Sequence, residues 1–382
     1  MLFKSKLALI LLASGLSGCS LLSKVNENNT KRFVVNAYWV QDTLAQKNKE
    51  FRKVNRMSPI IYKNSLIVGN ALDGLVSYDL KTKNKNWRLL IPFGVEASGV
   101  SVKDRLFVGS NNGKMYSVDL ANGEVVWTFD SKSELVSEPL LNDGVLYFIS
   151  GSQSLYALDA SNGKQLWIYN RQDTTSSMTI RGGSKPSLSN GVLYTGFGDG
   201  SLVAVNARTG SEHWEIKLNH NSKFKDIDAS PVIDGDFIYI NSYDDKVYCL
   251  SKDKGEIIWN VGFGGAGTPF VSDDKIFVTS SKGELVALSK KDGSVIWNKK
   301  TKEGVFTEPV LYKGLIVSGE SQGKLIFFDK NNGETIGSFE PGRGVFSKPT
   351  INTNSLYFIS GEGNVYGLTA DYENKSSIYY LK

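Results

Sequence analysis

The sequence has few cysteines and histidines, since its 382 residues include only two of each. Two histidines, His213 and His220, do not make a metal cluster, so no metal site is expected. Cys249 lies in a run of strand-forming residues and is expected to be buried there. Cys19 belongs to a different kind of signal, described below. We therefore expect no intramolecular disulfide.

The chain also lacks a strong charge of either sign. Its formal net charge is +5, and this falls to +3 without residues 1–18, which contain two lysines and no acidic residue. Because this excess is small and evenly spread, it argues against nucleic-acid binding.

The apolar run near the N-terminus, residues 7–13, is too short to span a bilayer. Two lysines precede it, and Leu16-Ser17-Gly18 leads directly to Cys19, an order typical of a lipoprotein signal peptide. We predict a signal peptide over residues 1–18, an acylated Cys19 and a polar tether over residues 19–32. The alternative is an ordinary secreted protein with an incidental cysteine.

Ser20, rather than aspartate, follows Cys19. By similarity to other bacterial lipoproteins, this implies transfer to the outer membrane, with the body of the protein facing the periplasm. Several acyl chains hold a protein on a membrane far more firmly than one chain does. We therefore expect a stable lipid anchor at Cys19.

Two ladders of residues reveal internal repeats. Tryptophans recur at intervals of 40, 40, 47, 45 and 38 residues: Trp87, Trp127, Trp167, Trp214, Trp259 and Trp297. Prolines recur in step, with glycine in one slot: Pro59, Gly99, Pro139, Pro186, Pro231, Pro269, Pro309 and Pro349. Each proline slot precedes its tryptophan slot by 28 residues, and the slot after Pro309 holds Gly337. A rigid unit of fixed length therefore repeats.

Each unit consists of short β-rich runs separated by turn residues, without helical periodicity. Four strands per 40 to 47 residues indicate a propeller blade. The last hairpin of a unit usually has glycine before the tryptophan, but Lys83 in the first unit. Four aspartates open this hairpin and are expected to form turns rather than catalyse: Asp79, Asp119, Asp159 and Asp329.

The ladders count eight units, but the eighth ends without its aromatic residue. Trp39 stands 20 residues before Pro59 and belongs to no complete unit. We predict an all-β, eight-bladed β-propeller with four-stranded blades over residues 33–382. The N-terminal strand around Trp39 would complete the last blade, which would remove exposed sheet edges.

Two connections between units are long, with 19 residues from Trp167 to Pro186 and 17 from Trp214 to Pro231, against 10 to 12 in five others. Equivalent loops of consecutive blades emerge on the same face, so they should form one raised patch. Loops on a rigid scaffold often carry function. The patch is expected to bind a partner, and its candidate residues are Met178, Ile180, Arg181, Asp226 and Asp228. Alternatively, the apolar residues pack on the blade and the charges are solvated.

The repeat text, as in YALDASNGKQLW from Tyr156 to Trp167, resembles quinoprotein-type propellers. These include the pyrroloquinoline-quinone dehydrogenases and the BamB family of lipoproteins that assist assembly of outer-membrane β-barrels. The chain is more similar to the second group, because the likeness covers nearly everything after Cys19. It includes the lipobox, the eight units and the closing strand.

This resemblance implies a scaffold without enzymatic activity or cofactor, which binds the periplasmic domains of BamA and assists nascent outer-membrane β-barrel proteins. In the BamB family, two neighbouring loops contact BamA. One ends in an apolar-x-apolar-Arg-Gly segment followed by Ser-x-Pro, and the other has Asp-x-Asp before the next proline. The matching residues here are Met178, Ile180, Arg181, Gly182, Ser184 and Pro186, followed by Asp226, Asp228 and Pro231. Methionine and isoleucine stand where leucines are common in the family, which bears on the strength of the contact.

Two alternatives remain. One is another periplasmic propeller that binds a glycan or a protein, because a fold alone does not determine function. The other is a quinone-dependent dehydrogenase. Such enzymes are longer and have an adjacent cysteine pair near the cofactor, whereas this sequence contains no such pair.

Overall fold

The computed structural model describes residues 31–45, 55–171, 183–221 and 224–374. Within these ranges the chain forms 32 β-strands and no helix, and hence no helix that could cross a membrane. The strands form eight separate four-stranded sheets. The predicted all-β, eight-bladed propeller is therefore confirmed. Its compact unit extends from Phe33 to Asp371.

Each sheet is one blade, with strands a to d numbered from the centre outward. The bounds are as follows: blade 1, β2 Ile60–Tyr62, β3 Ser65–Asn70, β4 Gly74–Asp79, β5 Lys85–Leu90; blade 2, β6 Val100–Val102, β7 Arg105–Gly109, β8 Lys114–Asp119, β9 Val125–Asp130; blade 3, β10 Leu140–Asn142, β11 Val145–Ile149, β12 Ser154–Asp159, β13 Gln165–Asn170; blade 4, β14 Ser187–Ser189, β15 Val192–Gly196, β16 Ser201–Asn206, β17 Glu212–Lys217; blade 5, β18 Val232–Asp234, β19 Phe237–Ser242, β20 Lys246–Ser251, β21 Ile257–Gly262; blade 6, β22 Phe270–Ser272, β23 Lys275–Thr279, β24 Glu284–Ser289, β25 Val295–Lys300; blade 7, β26 Val310–Tyr312, β27 Leu315–Gly319, β28 Leu325–Asp329, β29 Thr335–Phe339; blade 8, β30 Thr350–Asn352, β31 Ser355–Ile359, β32 Asn364–Asn374 and, outermost, β1 Lys31–Asp42.

The turn between strands c and d shows why the aspartates recur. In blade 3, the Asp159 carboxylate accepts a hydrogen bond from the Ser161 amide at 2.8 Å, and the Asp159 carbonyl accepts one from the Gly163 amide at 2.8 Å. Gly163 has a φ of +74°, a conformation that glycine adopts without steric cost. Asp79, Asp119 and Asp329 accept the equivalent bond from the amide two residues on. Their predicted role as turn formers is confirmed.

The tryptophan ladder marks the contacts between blades. Trp127 of blade 2 donates a hydrogen bond from Nε1 to the Ala160 carbonyl of blade 3 at 3.1 Å. Its ring covers Gly163, where a Cβ atom would lie 2.7 Å from Cε3 of the indole. The same arrangement joins Trp87 to Gly123, Trp167 to Gly210 and Trp297 to Gly333. At these interfaces the tryptophan of one blade thus packs directly on the glycine of the next blade.

Blade 8 contains both ends of the propeller, as predicted, because β1 forms its outermost strand. Trp39 is buried there and packs edge-on against Tyr78 of blade 1, with ring centroids 5.7 Å apart. Lys83 stands at the glycine position of blade 1 with a φ of +67°, and its Nζ lies 5.3 Å from the centre of the Trp39 ring. A cation–π contact therefore replaces the tryptophan–glycine contact at the closing interface.

The missing tryptophan at Gly337 has a structural counterpart. A Cβ atom at Gly337 would lie 2.5 Å from Cδ1 of Phe33, which belongs to β1. The Phe33 ring lies 5.3 Å from that of Phe327 in blade 7. Phe33 of the closing strand therefore fills the space that a tryptophan side chain at this slot would need.

Candidate functional site

The two long connections end side by side on one face of blades 4 and 5. Ser184 Oγ donates a hydrogen bond to the Ala229 carbonyl at 3.0 Å, and the Lys185 amide donates one to Ser230 Oγ at 3.1 Å. Ser187 Oγ donates to the Pro231 carbonyl at 2.5 Å. The described ends of both connections are thus held together by three hydrogen bonds.

Asp226 and Asp228 differ in how they face this patch. Asp226 has 1% of its surface exposed, and its Oδ1 lies close to Gly198 in blade 4. Asp228 is partly exposed and lines a central cavity. Ile227 between them is buried and packs closely over Gly196. Asp226 is thus buried beside blade 4, whereas Asp228 can meet a ligand in the cavity.

The central cavity has a volume of about 770 Å³ and is lined by all eight blades. Burial, and next the charge of Asp226, raise the pKa of the Asp228 carboxyl to about 7, although Arg56 acts in the opposite direction. Burial, and next the charge of Asp228, also raise the pKa of the Tyr243 hydroxyl. Asp228 can therefore bind or release a proton near neutral pH.

The residue before each proline slot contributes to a polar inner ring around this cavity. Its members, in chain order, are Ser58, Ser98, Glu138, Lys185, Ser230, Thr268, Glu308 and Lys348. Hydrogen bonds link neighbouring blades along the ring, such as Ser230 amide to Thr268 Oγ1 at 3.2 Å and Thr268 amide to Glu308 Oε1 at 3.0 Å. Lys185 pairs with Glu138, and Lys348 lies 3.8 Å from Glu308. The two ladders did not indicate this ring, although the residue before the proline position is polar in all eight units.

Arg171 fastens the start of the first long connection. Its guanidinium pairs with Asp199 and with Glu215, the latter at 2.7 Å, and lies 5.2 Å from the centre of the Phe197 ring. Burial alone would lower the pKa of the guanidinium, but the hydrogen bonds and charges of Glu215 and Asp199 raise it. Only 13% of the arginine side chain is exposed. The sequence pattern did not single out this ion triad.

The other predicted site residues lie outside the described part of the chain. These are Cys19, Met178, Ile180, Arg181 and Gly182. Among the described residues, no group of three or more histidine, cysteine, aspartate or glutamate side chains could hold a metal ion. Cys249 is buried in β20, as predicted.

Comparison with known proteins identifies the family. The family model described as outer membrane protein assembly factor BamB matches residues 73–250 and 243–371. The chain belongs to the BamB family. BamB of Shewanella oneidensis is 26% identical over 184 residues, covering 46% of this chain and 44% of that protein. BamB of Alteromonas naphthalenivorans is 31% identical over 173 residues, covering 44% of this chain and 41% of that protein. The matched segment thus spans less than half of either relative.

Solved structures show the same fold. The crystal structure of BamB from Moraxella catarrhalis has a TM-score of 0.75 at 20% identity, covering 88% of this chain and all of that chain. Quinohemoprotein alcohol dehydrogenase from Comamonas testosteroni has a TM-score of 0.71 at 13% identity, covering 91% of this chain and 78% of that enzyme. At these identities the likeness concerns the propeller and not the chemistry.

Proposed function

We propose that the protein is a non-catalytic scaffold lipoprotein of outer-membrane β-barrel assembly, and that it binds the periplasmic domains of BamA. The match to the BamB family over most of the propeller is the observation that carries this proposal. The protein would be anchored to the outer membrane through lipid on Cys19, with the propeller in the periplasm. It would assist the assembly and insertion of nascent β-barrel proteins into the outer membrane.

The face of blades 4 and 5 is the proposed BamA-binding surface. Its two long connections are joined by hydrogen bonds at their described ends, so the underlying platform is rigid. The proposed contact residues are Met178, Ile180 and Arg181 of the first connection, with Asp228 of the second. Asp226 is too buried for direct contact and would hold the second connection in place.

The test is a pull-down of the BamA periplasmic region by the mature protein, with Arg181→Glu and Asp228→Ala as variants. Loss of a hot-spot residue worth about 2 kcal/mol weakens binding roughly 30-fold. Lys291→Glu is the matched control, because Lys291 is exposed in a turn at the opposite end of blade 6. Circular dichroism would show that each variant remains folded. The proposal fails if the wild-type protein does not retain BamA, or if the control weakens retention as much as Arg181→Glu does.

The quinone-dehydrogenase alternative shares the fold, since such enzymes are among the structural neighbours. The sequence lacks the adjacent cysteine pair expected near a quinone. We therefore do not propose this activity.

A further inference from the structure

A second cavity opens between blades 3 and 4 at the other end of the propeller. Antiparallel strands place the a–b and c–d turns at one end of a blade, and the b–c turns and inter-blade connections at the other. This cavity has a volume of about 670 Å³ and is lined by the a–b turns of both blades and the c–d turn of blade 4. It therefore lies away from the proposed BamA surface, and we call it the turn-side cleft.

Apolar side chains form the floor of the turn-side cleft. Tyr147 Oη and Trp167 Nε1 both donate to the Ala207 carbonyl, each at 3.1 Å, so the polar atoms of these two side chains are satisfied. Val145, Leu188 and Val192 complete the floor and are only partly buried. The floor thus offers apolar contact to a ligand without a cost for unpaired polar groups.

Polar side chains with planar ends surround this floor. Asn190, Arg208 and His213 are exposed at the blade 4 side of the cleft. Asn142 and Asp143 face it from blade 3, where the Asn142 amide donates to the Asp143 carboxylate at 3.0 Å. The rim therefore contains several donors and acceptors, with one positive and one negative charge.

Equivalent positions at two other blade interfaces are closed by lysine. Lys290, the residue after β24, pairs with Asp234 across the interface of blades 5 and 6. Lys330, the residue after β28, pairs with Asp273 across blades 6 and 7 at 2.8 Å. The residue after β16 is Ala207, whose side chain cannot bridge to blade 3. The lysine ion pair that closes those two interfaces is thus absent from the turn-side cleft.

We propose that the turn-side cleft binds a short saccharide with N-acetylated rings. A pyranose ring presents hydroxyl groups at its edge and apolar C–H groups on its faces. The amide, carboxylate and guanidinium groups of Asn142, Asp143 and Arg208 can exchange hydrogen bonds with those hydroxyls. An acetamido methyl group fits the apolar floor, and its amide can bond to Asn190. The balanced charges of the rim suit an uncharged ligand, and the volume lies within the typical range of about 300–1,000 Å³ for small-molecule sites.

The experiment titrates the mature protein with the trimer of N-acetylglucosamine and, in parallel, with maltotriose, by isothermal titration calorimetry. The key variant is Ala207→Lys, because lysine at the equivalent position is accommodated in blades 6 and 7. We expect the new lysine to pair with Asp143 and fill the cleft, which weakens trimer binding about tenfold or more. Arg208→Ala should weaken binding to a similar extent, while Lys291→Ala, at the equivalent turn position of blade 6, should not.

Trimer binding that depends on Ala207 and Arg208 and exceeds maltotriose binding supports the proposal. The proposal is overturned if the trimer does not bind, if Ala207→Lys binds it as tightly as the wild type does, or if maltotriose binds equally well. The BamA pull-down with Ala207→Lys separates the two proposed sites. Because the cleft and the long connections lie at opposite ends, this variant should retain BamA whatever the outcome of the titration.

Discussion

The indole ring of Trp127 lies directly on Gly163 of the following blade, where a Cβ atom would approach Cε3 to 2.7 Å. We predict that Gly163→Ala destabilises the propeller for two separate reasons. The left-handed backbone costs about 1–2 kcal/mol for alanine, and displacement of the indole ring adds about 1–3 kcal/mol. Urea unfolding followed by tryptophan fluorescence measures the total.

Gly144→Ala is the matched control for this prediction. Gly144 has a φ of +78°, close to that of Gly163, but no atom lies within 4 Å of the added methyl group. Gly144→Ala should therefore lower the free energy of unfolding only by the cost of the left-handed backbone. Equal losses of stability in the two variants would mean that the tryptophan contact is unimportant.

The closing strand should contribute strongly to stability through Trp39. The side chain is 5% exposed and packs between blades 8 and 1, so Trp39→Ala should cost about 3–5 kcal/mol. Val40, the next residue in β1, is 52% exposed, and Val40→Ala should have little effect. Equilibrium unfolding of both variants tests this comparison. A small effect of Trp39→Ala would show that the ring is stable without its closing contact.

Asp228 should make the folded protein less stable as the pH rises from about 4 to about 7. Its pKa is about 7 in the folded protein, against an ordinary value of 3.8, so the unfolded chain loses this proton first. Asp228→Asn removes the ionisable group. This variant should match the wild type near pH 4 and exceed it above pH 7, by up to a few kcal/mol.

Unfolding free energies measured at pH 4.5, 6 and 7.5 check this expectation. Asp143→Asn is the control, because Asp143 is an exposed aspartate in a turn. If Asp228→Asn were no more stable than the wild type at pH 7.5, the carboxyl would not be held protonated by its surroundings.

Arg171→Ala should destabilise the fold by about 1–3 kcal/mol, because it leaves the carboxylates of Asp199 and Glu215 without their partner. This loss of stability is moderate because the side chains of Asp199 and Glu215 are 24% and 34% exposed to solvent. Lys132→Ala removes an ion pair of similar length, 2.7 Å to Asp130, but this lysine is 82% exposed. Thermal unfolding should therefore distinguish the variants. Similar melting temperatures would contradict a structural role for the triad.

The blade count was predictable because tryptophans and prolines recur in step along the sequence, and six blade interfaces pack a tryptophan of one blade against a glycine of the next. Trp39 likewise indicated the closing strand, since it stood outside every complete unit. The role of Lys83 was not predictable, because its contact with Trp39 forms only when the closing strand lies in blade 8.

The candidate site was less accessible from the sequence. Periodicity located the two long connections but not the path of the backbone within them, so it did not show that Asp226 is buried while Asp228 lines the cavity. Arg171 meets residues 28 and 44 positions later in the chain, a contact that only the folded blades create. The contacts of Met178, Ile180 and Arg181 with a partner stay predictions.

β1 shares one sheet with β30 to β32. The first strand of the propeller therefore has no pairing partner until the last strands have been synthesised. During synthesis, residues 31–42 emerge more than 300 residues before their partners in β32. The ring can therefore close only when the chain is almost complete. Any shortened product that ends before blade 8 would expose β1, with Trp39, as an unpaired strand. Such products should be easily recognised by proteases, so the position of this one strand also provides a check that the whole propeller has been made.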